Sequence, residues 1–208
     1  MLGPPLDRFP SRVFGSSTDS WSRAFLQPDL LPARFSKYLL LGNAELATRV
    51  PMLKQLGVTA ILDVSGSERD EELLQVYAQA GIKHKAVAAE DNPRYNIIDK
   101  HLKEATAFLE PFVARDGVVL VHCHQGINRS AALSIAFLML REHWPLPELL
   151  RHAFAQRPRL LANLGFRKQL VKLAIEHNLL AVPIEHAPTP SNAARWSELG
   201  GQGALGVG

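Results

Sequence analysis

Apolar and polar positions along this chain alternate between runs and periodic faces. Residues 58–64 (Val-Thr-Ala-Ile-Leu-Asp-Val) form a β-rich apolar run suited to a buried strand. Residues 38–41 read as a shorter strand ended by Gly42-Asn43, and residues 82–88 as another. Residues 118–121 give the strand expected at the centre of the sheet. Helical faces fall between these runs. Residues 52–56 belong to a helix closed by Gly57, and residues 71–80 to one capped by Gly81. Ile98, Leu102, Ala105, Leu109 and Val113 share one face of a longer helix, which Pro111 is expected to kink or shorten. Residues 130–141 are apolar nearly all round and predict a core helix stopped by Pro145. Pro147 suits the first turn of a helix reaching about residue 156, and a last helix spans 164–177. Strands alternating with helices predict an α/β fold, a mixed, mostly parallel sheet with helices on both faces.

The ends of the chain break this rhythm. Residues 1–33 carry Pro4, Pro5, Pro10, Pro28 and Pro32 and predict an irregular arm, anchored through Phe14, Trp21 and Phe25. Residues 181–208 are rich in glycine and proline and predict a disordered tail. One domain, residues 34–180, lies between them. Hydrophobic residues make up 47% of the chain, enough for a sizeable core. The net charge of +3 comes without a lysine/arginine run, so charge gives no support for a nucleic-acid partner. The amino terminus lacks the apolar core of a signal peptide, and residues 131–140 are too short to span a bilayer. A single cysteine excludes an internal disulfide and a cysteine-rich metal site. It fits a reducing compartment, so the expected location is cytoplasmic, with the nucleus as the second choice.

That cysteine changes the picture most. Cys123-His124-Gln125-Gly126-Ile127-Asn128-Arg129 joins the central strand to the core helix. A strand feeding a tight loop that opens a helix aims backbone N–H groups at one point, where an anion can sit. Gly126 lets the loop turn without a side chain in that cup. Arg129 adds a planar, two-pronged donor suited to phosphate. A thiol at the rim of such a cup loses its proton readily, and a thiolate facing a bound phosphate is a nucleophile facing an electrophile. Alone, Cys123 would read as an ordinary buried cysteine at a strand end. With His122, Gly126, Arg129 and Ser130 in register, the chemical reading is the stronger one. Asn128-Arg129-Ser130 also spells a glycosylation sequon, but a glycan there would block the cup.

The spelling His-Cys-x-x-Gly-x-x-Arg-Ser resembles the phosphate-binding loop of the cysteine-dependent protein phosphatases. It is most similar to the dual-specificity branch, which acts on phosphotyrosine and phosphoserine/threonine. The resemblance covers about residues 35–178, including Tyr38-Leu39-Leu40-Leu41-Gly42-Asn43, Leu56-Gly57-Val58, Arg157-Pro158 and Asn163-Leu164-Gly165-Phe166. It implies the cysteine-phosphatase fold, a phosphoprotein substrate, a cysteinyl-phosphate intermediate, and no cofactor or metal. Cys123 would be the nucleophile, with Arg129 clamping two phosphoryl oxygens. His124, Gln125, Gly126, Ile127 and Asn128 would complete the phosphate site. His122 would orient the loop from behind. Ser130 would donate to the leaving thiolate in the second step, while also serving as a helix cap. A general acid is expected on a loop about thirty residues upstream. Asp91 is the choice there and Glu90 the substitute.

Two departures keep alternatives open. Asn128 stands where the family often has serine. Asparagine there also resembles RNA 5′-triphosphatases of the capping-enzyme type, although those usually place threonine where this chain has Ser130. The loop lacks the lysines of polyphosphoinositide phosphatases of the tensin-homologue type. A pseudo-enzyme that binds phosphoresidues without turnover is the contrasting class. Cys123, Arg129 and Asp91 together count against it, since binding alone needs only the cup.

Overall fold

The computed structural model describes residues 31–67 and 70–180. Strands β1 (Ala33–Arg34), β2 (Leu39–Asn43), β3 (Val58–Asp63), β4 (Lys83–Ala86) and β5 (Val118–Cys123) form one sheet in the order β1-β2-β5-β3-β4. β1 runs antiparallel to β2, and every other pairing is parallel. The sheet is therefore mixed and mostly parallel. β5 lies at its centre, between β2 and β3, and Val119 to Cys123 are all buried.

The period-2 alternation of the strands divides the core in two. Leu40, Ile61 and Leu120 face one side, with Leu46, Val50, Leu53 and Tyr77 from α1 (Ala44–Ala47), α2 (Val50–Gln55) and α3 (Glu71–Gln79). Leu39, Leu41, Leu62, Val119 and Val121 face the other side, under α4 (Ile97–Val113), α5 (Arg129–Glu142), α6 (Leu146–Gln156) and α7 (Leu164–Glu176). α5 is buried without a break from Ser130 to Met139, which explains why its sequence shows so little polar face. Truncating one of its large side chains, such as Phe137→Ala, would cost about 3–5 kcal/mol. α5 is thus a fixed post, and the loop that opens it inherits that rigidity.

Several expectations need correction. Gly42-Asn43 does not end β2, because both residues stay in parallel register with β5, Asn43 opposite Cys123. Asn43 then caps α1, its Oδ1 accepting from the Leu46 N–H at 2.8 Å. Pro111 does not stop α4, which runs to Val113. The proline sits in the last turn and removes one donor there, and the helix still closes beyond it, Ala114 N–H donating to the Glu110 carbonyl at 2.9 Å. The strand expected at 82–88 shrinks to Lys83–Ala86. Among the described residues it pairs with β3 alone, and β3 ends at Asp63, so the ladder stops there. Lysines at Lys83 and Lys85 suit a sheet edge. β1 and the single turn of α1 were not foreseen, being too short to show a period. The expected arm over residues 1–30 and tail over 181–208 lie outside the described residues. Among the described residues no helix is long and apolar enough to cross a membrane.

Candidate active site

β5 ends at Cys123 and α5 begins at Arg129, so the intervening loop sits at the carboxyl edge of the central strand. In open parallel sheets this edge is where ligands bind. The loop's carbonyls are held from outside. The His124 carbonyl accepts from the Ala44 N–H at 3.2 Å, and the Ile127 carbonyl from the Leu161 N–H at 2.9 Å. The Gly126 carbonyl accepts from Arg157 Nη1 at 3.0 Å. The Gly126 N–H turns inward and donates to Cys123 Sγ at 3.3 Å. Gly126 has φ of +67°, and a Cβ there would lie 2.5 Å from both Arg157 Nη1 and the Gly42 carbonyl oxygen, so no other residue fits.

Cys123 is buried, and its sulfur also accepts from Ser130 Oγ at 3.2 Å. Two donors, one from the backbone and one from a side chain, therefore converge on this sulfur. Ser130 is the second residue of α5, so the expectation of a helix cap is not met; its hydroxyl is committed to the sulfur. His122 is buried behind the loop, with Nδ1 3.9 Å from Asp63 Oδ1. Burial pushes its imidazole below the ordinary histidine range, against the pull of Asp63 and of a bond to the Cys123 backbone. His124 and Gln125 are exposed at the loop's outer turn, and Ile127 and Asn128 are half-buried.

Arg129 is anchored from one edge. Its Nη1 donates to the Ser65 carbonyl and, at 3.2 Å, to the Ala89 carbonyl. Its Nε is buried and makes no hydrogen bond among the described residues. An unpartnered buried donor costs about 1–3 kcal/mol, a penalty that a seated oxyanion removes. Fixing one edge of the guanidinium by carbonyls presents the other as a pre-oriented donor.

The structure brings Asp91 to the cup. Asp91 Oδ2 accepts from Asn128 Nδ2 at 3.1 Å, and Asp91 Oδ1 accepts from Asn163 Nδ2 at 2.9 Å. Of the two upstream carboxylates, Asp91 is the one hydrogen-bonded to the loop. Its own loop leans on α7, where the Pro93 carbonyl oxygen stands 1.8 Å from the place a Cβ on Gly165 would occupy. Gln169 on α7 also donates to the Tyr95 carbonyl at 2.9 Å. No group of three or more His, Cys, Asp or Glu side chains is placed to hold a metal among the described residues.

Sequence reasoning gave no role to Arg157, Leu161 or Asn163. Arg157 and Leu161 brace the cup from behind, and Asn163 holds Asp91. Leu161 does so with φ of +54°, a left-handed conformation that costs a bulky side chain about 1–2 kcal/mol. Arg157-Pro158 and Asn163 do stand in the stretches that carry the family resemblance, but nothing local in the sequence says what they touch.

Comparison with known proteins identifies the family and the fold. Residues 39–176 match the family described as "Dual specificity phosphatase, catalytic domain". The chain is 34% identical over 136 residues to dual specificity protein phosphatase 26 of Rattus norvegicus, covering 65% of this chain and 63% of that protein. It is 32% identical over 165 residues to dual specificity protein phosphatase 4 of Homo sapiens, covering 79% of this chain and 40% of that one. The match therefore spans less than two thirds of these relatives' own length. Among solved structures, human DUSP28 superposes with a TM-score of 0.63 at 28% identity, covering 71% of this chain and 95% of that chain.

Proposed function

The chain belongs to the dual specificity phosphatase catalytic-domain family, and from that premise we propose that it hydrolyses phosphotyrosine and phosphoserine/threonine esters on a phosphoprotein. The observation that carries this reading is the placement of Cys123 Sγ beneath two donors, Gly126 N–H and Ser130 Oγ, at the mouth of the loop that ends in Arg129. In the first step the Cys123 thiolate attacks phosphorus. The S–P bond forms, the P–O bond to the substrate breaks, and a proton from Asp91 goes to the departing oxygen. Arg129 and the loop N–H groups meet the charge spread over the three phosphoryl oxygens. In the second step Asp91, now a carboxylate, takes a proton from water as the water attacks phosphorus. Ser130 donates to the sulfur as it leaves. His122, pressed against Asp63 and the Cys123 backbone, keeps the strand end in place.

The charge on the phosphoryl group is met by Arg129 and backbone donors, so the reading needs no metal, and chelation should leave the rate unchanged. A cytoplasmic or nuclear setting suits the single unpaired thiol. The test is a substrate panel of phosphopeptides, a triphosphorylated RNA and a set of phosphoinositides, with acid-quench capture of phosphate on Cys123. We expect turnover on the phosphopeptides and a covalent phosphoenzyme. Much faster cleavage of the RNA or of the lipids would overturn the substrate class, and turnover without a trapped intermediate would overturn the mechanism.

A further inference from the structure

We propose that Asn128 is a positioning residue that fixes the Asp91 carboxylate over the phosphate cup, an inference that rests on Asp91 being the proton donor. Asn128 occupies the N-cap position of α5, where an asparagine side chain ordinarily accepts from the first helical N–H groups. Here it makes no such bond. Its Nδ2 donates to Asp91 Oδ2 at 3.1 Å, and its Oδ1 accepts from the Asn163 N–H at 3.0 Å. Asn163 closes the ring by donating Nδ2 to Asp91 Oδ1 at 2.9 Å. Asn163 keeps its own capping duty, since its Oδ1 accepts from the Gly165 and Phe166 N–H groups at 3.0 and 3.3 Å.

The ring joins three segments that are distant in the chain: the loop after β4, the cup, and the start of α7. It engages both oxygens of an exposed carboxylate. Each oxygen has a second lone-pair site, so a proton can still be carried toward the substrate. An exposed aspartate on a loop would otherwise sample many rotamers. Asn128 removes that freedom from within the cup itself, one residue before the arginine that grips phosphate. A serine side chain, which the family often has here, is shorter and lacks the NH₂ group.

The experiment measures kcat across aryl phosphates of graded leaving-group basicity for the full chain and its Asn128→Ala, Asn128→Asp, Asp91→Asn and double Asp91→Asn/Asn128→Ala variants. Asn128→Asp keeps the shape and the acceptor for the Asn163 N–H but replaces the donor with a second carboxylate. We expect both Asn128 variants to lose about 10- to 100-fold more rate on phenyl phosphate than on a dinitrophenyl phosphate. In the Asp91→Asn background that selectivity should vanish, because the residue through which Asn128 acts is already disabled. Asn128→Asp carries the test if the alanine variant folds poorly. Equal loss on every leaving group, or additive losses in the double variant, would overturn the proposal. If Asp91→Asn alone left the leaving-group dependence unchanged, the assignment of Asp91 would fail first, and the positioning role with it.

Discussion

The cup at residues 123–130 and the loop at residues 88–93 meet where Asn128 donates to Asp91 and Arg129 to the Ala89 carbonyl, and they are held by different means. The cup begins in a buried central strand and ends in a helix buried for ten consecutive residues, Ser130 to Met139. Its backbone is pinned by Ala44, Arg157 and Leu161. The acid loop follows an edge strand, and Glu90 to Arg94 are exposed. Side chains that lie 37 and 72 positions away hold its aspartate. A site that must bind a tetrahedral anion needs fixed donors, and core packing supplies them. A group that only hands over a proton can sit on a lighter mount. This difference predicts two kinetic signatures. Damage to the phosphate-gripping part of the cup, Cys123 and Arg129, should slow every substrate alike, whereas damage to the acid loop, or to Asn128 that holds it, should slow poor leaving groups most.

The largest effect is expected from Cys123→Ser. A hydroxyl is not a nucleophile of this kind at neutral pH, so turnover should vanish on all substrates while the fold and some phosphate affinity persist. Measurable hydrolysis near the parent rate would remove the cup from the chemistry altogether.

Asp91→Asn should come next, with a loss of about 10²–10⁴-fold on alkyl or unsubstituted aryl phosphates. Activated aryl phosphates, whose leaving groups need little protonation, should lose far less. Cleavage of a triphosphate expels a diphosphate that hardly needs a proton, so any triphosphatase side activity should survive. A flat loss across the series would merge the two signatures and break the comparison. Full retention on phosphopeptides would point instead to Glu90→Gln as the variant to make.

The same contrast explains what could be read from the sequence. Cup residues are consecutive, and strand, loop and helix announce themselves by local pattern, so Cys123, Gly126, Arg129 and Ser130 were legible together. Asp91 was suggested only by the family resemblance, from its place on a loop after a strand upstream of the cup. Its partners were not, because hydrogen bonds between Asp91, Asn128 and Asn163 exist only once three segments converge. Asn128 was expected among the phosphate-site residues, but its side chain reaches Asp91 and Asn163 in place of a local capping bond. The left-handed backbone of Leu161 was equally hidden, since leucine carries no preference for it. Element ends failed for a related reason. How far β2 and β4 run depends on the strand alongside, not on their own residues.

Arg129→Lys should lose more than about tenfold in kcat/KM, or roughly 1.4 kcal/mol, by the same factor on every leaving group. Lysine keeps the charge but cannot hold two carbonyls with one nitrogen while offering a planar edge to phosphate. A smaller loss would show that charge, rather than the two-pronged geometry, is what the cup needs.

Gly165→Ala should give the smallest effect and the sharpest test of how the acid loop is mounted. Alanine favours the helix over glycine by about 0.8–1 kcal/mol. Against this, its Cβ would fall 1.8 Å from the Pro93 carbonyl oxygen, so one partner must move. α7 is anchored by Phe166, Leu170 and Ala174, all buried, whereas Asp91, Asn92 and Pro93 are exposed. The loop should therefore be the part that yields. The displaced backbone at Pro93 outweighs the helix gain, and Tm should fall by a few degrees, each roughly 1 kcal/mol lost lowering it by about 2–4 °C in a domain of this size. Poor leaving groups should slow several-fold as Asp91 drifts from Asn128, with activated aryl phosphates affected less. A fall in Tm of more than about 10 °C would mean that the acid loop is as much a part of the cooperative core as the cup is.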